Sequence, residues 1–71
     1  MRNENELLKQ FGEKVQILRK ERKLSQEELA YLAGFHRTYI GMIERAERNI
    51  TLSNLKRLAD ALNIPIKTFF E

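Results

Sequence analysis

The sequence predicts an all-α fold of five short helices packed as one small domain spanning residues 1–71, and three observations carry that prediction. Apolar residues recur at spacings of three and four, as in Leu8, Phe11, Val15 and Leu18, or Leu55, Leu58, Ala59 and Leu62. That is the period of a helix with one buried face. Helix-start residues (Ser25, Thr51) and helix-end residues (Gly34, Asn63) punctuate the chain around these runs. No stretch alternates apolar and polar in the manner of a strand, and no repeat or low-complexity segment interrupts the pattern.

Each element has a local reason. The first helix is expected from near Asn5 to near Arg22, with Lys9, Glu13, Lys14 and Lys20 toward water and Met1–Glu4 frayed. Ser25 begins the second helix, with Glu28 three residues on to complete a capping box. Leu29, Ala30, Leu32 and Ala33 are its expected apolar side, and Gly34 ends it in a left-handed conformation. Phe35 and His36 form a turn, and a third helix runs from Arg37 to Arg45 with His36 as a weak cap. Ala46–Ile50 reads as a polar loop. Thr51 caps a fourth helix, Leu52 to Leu62, which Asn63 ends with Pro65 soon after. Ile66 to Phe70 is expected to add one last helical turn.

Composition narrows the function. A chain of 71 residues buries only about 60% of its unfolded surface, so it gains from self-association. There is no cysteine, which removes disulfides and thiolate metal sites. His36 is the sole histidine and has no ligand-spaced partner, so neither metal nor cofactor is expected. No catalytic motif occurs, and the chain reads as a non-enzyme. No apolar run approaches a membrane span and the N-terminus is too charged for a signal peptide, so a cytoplasmic location is expected. The net charge of +3 is mildly basic, which suits one face on phosphate and acidic residues elsewhere.

The stretch Leu24–Arg45 carries the functional signal. Two short helices separated by a turn at Gly34 form a helix-turn-helix, a device for laying the second helix in the DNA major groove. At about 100° per residue with Ile40 at zero, Ile43 falls at about 300° and Glu44 at about 40°, toward the scaffold. Thr38, Gly41, Met42 and Arg45 fall on the opposite side, at about 100° to 200°. Gly41 in mid-helix costs roughly 1 kcal/mol against alanine, a cost that close approach to a ligand would justify and a solvent face would merely tolerate.

At SQEELA (Ser25–Ala30), RTYI (Arg37–Ile40), IER (Ile43–Arg45) and RNITL (Arg48–Leu52) the sequence resembles the Cro and phage-repressor helix-turn-helix family. Within that family it is most similar to the small controller proteins of restriction-modification systems. The resemblance spans roughly Phe11 to Phe70 and implies roles at matching positions. Arg37 and Thr38 would be the main base readers, with Met42 and Arg45 on the next turn. Ser25, Gln26, His36, Tyr39, Arg48 and Asn49 would hold the DNA backbone, Gln26 through its amide and the helix N-terminus. Arg19 and Glu44 would form a structural pair fixing the recognition helix. Ala46 stands where the family often has glycine, and His36 where it has a smaller capping residue.

Three large apolar residues near the C-terminus, Ile66, Phe69 and Phe70, suggest an interface patch. The resemblance implies that residues 64–70, with Ile64, form a homodimer contact. A two-fold dimer would set two recognition helices about 34–36 Å apart on palindromic double-stranded DNA. The implied function is a transcription regulator that activates and represses from operator boxes, with RNA polymerase as a further partner and no membrane. The nearest alternatives are a phage or transposon repressor and, in a different class, a protein–protein adaptor or antitoxin on the same fold.

Overall fold

The computed structural model describes residues 4–71 and contains, among these, four α-helices, one 3-10 turn and no strand. The helices are α1 (Glu4–Glu21), α2 (Gln26–Ala33), α3 (Arg37–Glu44) and α4 (Leu52–Leu62), and the 3-10 turn is Ile66–Phe70. The limits of α4 match expectation to the residue; α1 and α3 each end one residue early. Glu4, expected in a frayed end, opens α1, while Met1–Asn3 lie outside the described residues.

The starts follow the anticipated chemistry. Ser25 Oγ accepts from the Glu28 N–H at 2.9 Å and the Glu28 carboxylate accepts from the Ser25 N–H at 2.7 Å, a complete capping box. Thr51 Oγ1 accepts from Asn54 N–H, and His36 Nδ1 accepts from Thr38 N–H, each at 3.1 Å.

The ends share one device that the residue types only half disclose. Each helix is followed by a left-handed residue: Lys23 (φ 57°), Gly34 (φ 78°), Ala46 (φ 60°) and Asn63 (φ 59°). At each, the next residue's N–H reaches back five positions: Leu24 to Arg19, Phe35 to Ala30, Glu47 to Met42 and Ile64 to Ala59. This is the Schellman arrangement, which satisfies carbonyls that a helix terminus would orphan. Gly34 adopts it freely and Asn63 with little cost; Lys23 and Ala46 adopt it against their Cβ atoms. Ala46 therefore keeps the conformation that glycine would take at lower cost.

The core lies where the four helices converge on Val15, Leu29, Ile40, Ile43, Leu58 and Leu62, all essentially inaccessible to solvent. Leu32, expected among them, is exposed. The buried face of α2 is centred between Leu29, Ala33 and Ala30, and Leu32 falls roughly 100° from that centre on a helical wheel. Leu8 and Lys14 are half-buried rather than wholly inside and outside.

The C-terminal aromatics divide in a way that corrects the interface expectation. Phe69 is only 4% exposed and meets Phe11 edge-on, 5.1 Å between ring centroids. It belongs to the chain's own core, and Ile64 and Ile66 pack partly against that core. Phe70 remains 59% exposed.

Helices α1 and α3 touch through Gly12. A Cβ there would stand 2.5 Å from the Ile43 carbonyl oxygen and 2.8 Å from that of Glu44. Only glycine lets α1 lie this close to the end of α3.

Candidate nucleic-acid interface

The orientation of α3 is set from beneath by one buried ion pair. Arg19 Nε donates to Glu44 Oε2 at 2.6 Å and Nη2 to Oε1 at 3.0 Å, a bidentate fork. Arg19 Nη1 donates to the Leu24 carbonyl at 2.7 Å, so the same guanidinium also ties the α1–α2 connection. The hydrogen bond to Glu44 raises the pKa of Arg19 above its ordinary value, against the opposing effect of burial. Gln26 Nε2 donates to Glu44 Oε1 at 3.1 Å. The amide group expected to hold phosphate thus donates inward, and Gln26 completes the solvation of the carboxylate.

A second clamp, not anticipated from the sequence, holds the turn between α2 and α3. Arg57 of α4 donates to the carbonyls of Ala33 (3.1 Å) and Gly34 (2.6 Å). Its guanidinium also lies over the Phe35 ring, 4.3 Å from the centroid. Phe35 meets Tyr39 edge-on at 4.9 Å, and Asn54 Nδ2 donates to the Tyr39 hydroxyl at 3.1 Å. Arg22 closes the far side by donating to the Leu62 carbonyl at 2.8 Å.

Above this scaffold, Ser25, His36, Arg37, Thr38, Arg45, Arg48 and Asn49 are exposed, with Gln26, Tyr39 and Met42 half-buried. The Arg48 guanidinium lies 5.6 Å from the Tyr39 ring centroid, which brings the loop after α3 beside that helix. Arg37 reaches Glu27 at 3.5 Å across exposed surface. Gly41, placed on the outward face by the angular argument, is buried. The cause is Arg45, whose Nη1 lies 2.9 Å from where a Gly41 Cβ would be. Arg45 donates to Glu47 through Nε (3.0 Å) and Nη2 (3.2 Å). This contact lowers the Glu47 carboxyl pKa and raises that of Arg45.

The described residues contain no group of three or more His, Cys, Asp or Glu able to hold a metal, and no helix long and apolar enough to cross a membrane. What the surface offers is hydrogen-bond donors: the Arg37 guanidinium and Thr38 hydroxyl at the start of α3, and the Arg45 and Arg48 guanidiniums beyond its end.

The sequence matches the family described as helix-turn-helix over residues 15–69. This chain belongs to the helix-turn-helix family. Among its relatives is the control protein C.SmaI of Serratia marcescens, 56% identical over 56 residues, covering 79% of this chain and 67% of that protein. The restriction-modification controller C.AhdI of Aeromonas hydrophila superposes with a TM-score of 0.87 at 44% identity, covering 89% of this chain and 96% of that one. The controller C.Esp1396I, solved as a tetramer with its natural 35 base-pair operator, superposes with a TM-score of 0.83 at 36% identity, covering 90% of this chain and 84% of that one. The similarity to controllers expected from SQEELA, RTYI, IER and RNITL is therefore found in both sequence and structure.

Proposed function

We propose that this protein is a homodimeric, sequence-specific regulator of transcription, not an enzyme, acting as a restriction-modification controller in the cytoplasm. The observation that carries the reading is the division of α3 into two faces. One is locked by Arg19, Glu44 and Gln26, and the other carries Arg37, Thr38, Met42 and Arg45 outward. A helix held this firmly suits readout, because base recognition depends on placing donors to within hydrogen-bond tolerance.

Arg37 and Arg45 suit guanine, whose O6 and N7 accept a guanidinium fork together, and Thr38 offers a hydroxyl and a methyl to thymine. The N-terminus of α2 with Ser25, together with His36, Tyr39, Arg48 and Asn49, sets register on phosphates, while the Gln26 side chain stays on Glu44. The dimer contact rests on Phe70 with the exposed edges of Ile64 and Ile66, Phe69 being committed to the core. By analogy with its controller relatives, a dimer on a strong palindromic box would activate, through RNA polymerase, and a second dimer on a weaker box would repress. Residues 1–71 act together as the DNA-binding unit.

The test is selection of bound duplexes from a random DNA pool by the purified protein. Enrichment of a palindrome with half-sites about one helical turn apart is expected. Affinity should fall steeply between about 50 and 200 mM salt, on the order of 10³-fold if six phosphates are contacted. A folded protein that enriches no sequence would overturn the reading and favour an adaptor.

A further inference from the structure

Arg45 is exposed yet hydrogen-bonded, and three features of its surroundings fit together. Its guanidinium lies on Gly41, one turn earlier on α3, where any side chain would intrude on Nη1. Glu47, just beyond the end of α3, takes hydrogen bonds from Nε and Nη2 along one edge of the guanidinium. The position of Glu47 is itself set by the left-handed Ala46, through the Glu47 N–H bond to the Met42 carbonyl at 2.8 Å.

A guanidinium has two forks. Glu47 occupies the Nε/Nη2 fork, which leaves both hydrogens of Nη1 and the second hydrogen of Nη2. That remaining end-on fork matches the O6 and N7 acceptors of guanine. We propose that Glu47 is a positioning residue for specificity: it holds the Nε/Nη2 edge of Arg45, keeps the guanidinium beside Gly41 and leaves the end-on fork for a base, and so selects guanine beneath the second turn of α3.

The proposal rests on the DNA-binding reading above and adds a residue with no base contact of its own. Glu47 carries negative charge on a surface meant for phosphate, where it opposes indiscriminate binding. An unbraced arginine would have its side-chain freedom removed only on binding, at a cost of about two- to ten-fold in affinity. It would also be free to settle on phosphate instead of a base. Gly41 serves the same arrangement by leaving space for the guanidinium.

The experiment is selection from a random duplex pool with the parent protein, Arg45→Ala, Glu47→Ala and Gly41→Ala, each checked for folding by thermal melting. Arg45→Ala identifies the base pair that Arg45 reads. Glu47→Ala is expected to reduce guanine preference at that same position by about two- to ten-fold. Preferences elsewhere should hold, the melting temperature should be little changed, and binding to unselected duplex should be equal or stronger. Gly41→Ala should relax the same position by displacing Nη1, and Glu47→Gln should retain part of the preference. Unchanged guanine preference in Glu47→Ala would overturn the proposal, as would an equal loss at every position. A parent protein that enriches nothing would instead remove the DNA-binding reading, and this proposal with it, a failure distinguishable because it precedes any substitution.

Discussion

Replacing Gly12 with alanine should destabilise the protein, although the same change in an exposed helix would stabilise it. The new Cβ would lie 2.5 Å and 2.8 Å from two backbone oxygens of α3. Ordinary C···O approach is about 3.3–3.6 Å, so α1 and α3 must separate by roughly 1 Å. The obstructing atoms are backbone, so no rotamer change relieves them, and separation loosens the packing of Val15 and Ile43. Overpacking of this kind costs about 1–3 kcal/mol, with the backbone contact placing it near the upper end. The gain in helix propensity returns about 0.8–1 kcal/mol. The net loss is then about 1–2 kcal/mol, against a total stability of about 4–10 kcal/mol for a chain of this length. Each kcal/mol lowers the melting temperature by about 4–8 °C at this size. Urea and thermal unfolding followed by circular dichroism, at one protein concentration, would measure it. Gly41→Ala is the internal comparison, because its Cβ meets only the far end of the Arg45 side chain, not backbone, and should leave stability equal or raise it by up to about 1 kcal/mol. If Gly12→Ala proved as stable as the parent, or moved with Gly41→Ala, the close helix contact would not constrain the fold as argued.

Four further outcomes are expected. Glu44→Ala leaves the Arg19 guanidinium buried without its carboxylate and should cost about 3–5 kcal/mol by urea unfolding; unchanged stability would remove the pair as the anchor of α3. Phe69→Asp should abolish cooperative melting, whereas Phe70→Asp should leave melting intact and shift sedimentation toward monomer. The Ser25 backbone N–H holds the Glu28 pKa below its ordinary 4.5, so its contribution is present above that value and is lost as pH falls through the lower folded-state pKa. An acid melting series should show a smaller loss across that window in Glu28→Gln. Ala46→Gly should raise stability by about 0.5–1 kcal/mol, since the left-handed conformation no longer opposes a Cβ.

Much of this was legible because the signals are local. Ser25 with Glu28 fixes the start of α2, Thr51 and Asn63 fix both limits of α4, and Gly34 fixes the turn. The Arg19–Glu44 pair was legible through resemblance and the inward angle of Glu44. What stayed hidden depends on neighbours distant in the chain. Gly12 resembles any tolerated helix glycine until the carbonyls of Ile43 and Glu44 arrive beside it. Arg57 resembles a solvated cation until the turn at Ala33–Gly34 lies within its reach. Adjacent Phe69 and Phe70 are the same residue type and both meet the Phe11 ring, yet only Phe69 is enclosed by the core. Lys23 gave no sign of left-handed geometry, since its residue type does not favour it, and at Ala46 the one sign was the glycine that the family often has there. Leu32 was misplaced because α2, at eight residues, is too short for its apolar stripe to be centred from pattern alone.

The two faces of α3 also bear on how such a protein can change over generations. Thr38 and Met42 take no part in the bonds of Arg19, Glu44 and Gln26, so on the proposed reading substitutions there would alter what is read without loosening how the reader is held. A lineage could drift from one operator to another while the fold stays equally stable at each step. The anchor has no such freedom: Arg19 joins the end of α1, the connection at Leu24 and the last turn of α3 in one group. Any change there is felt in all three places together, and diversity should collect on the outer face while the inner one stands still.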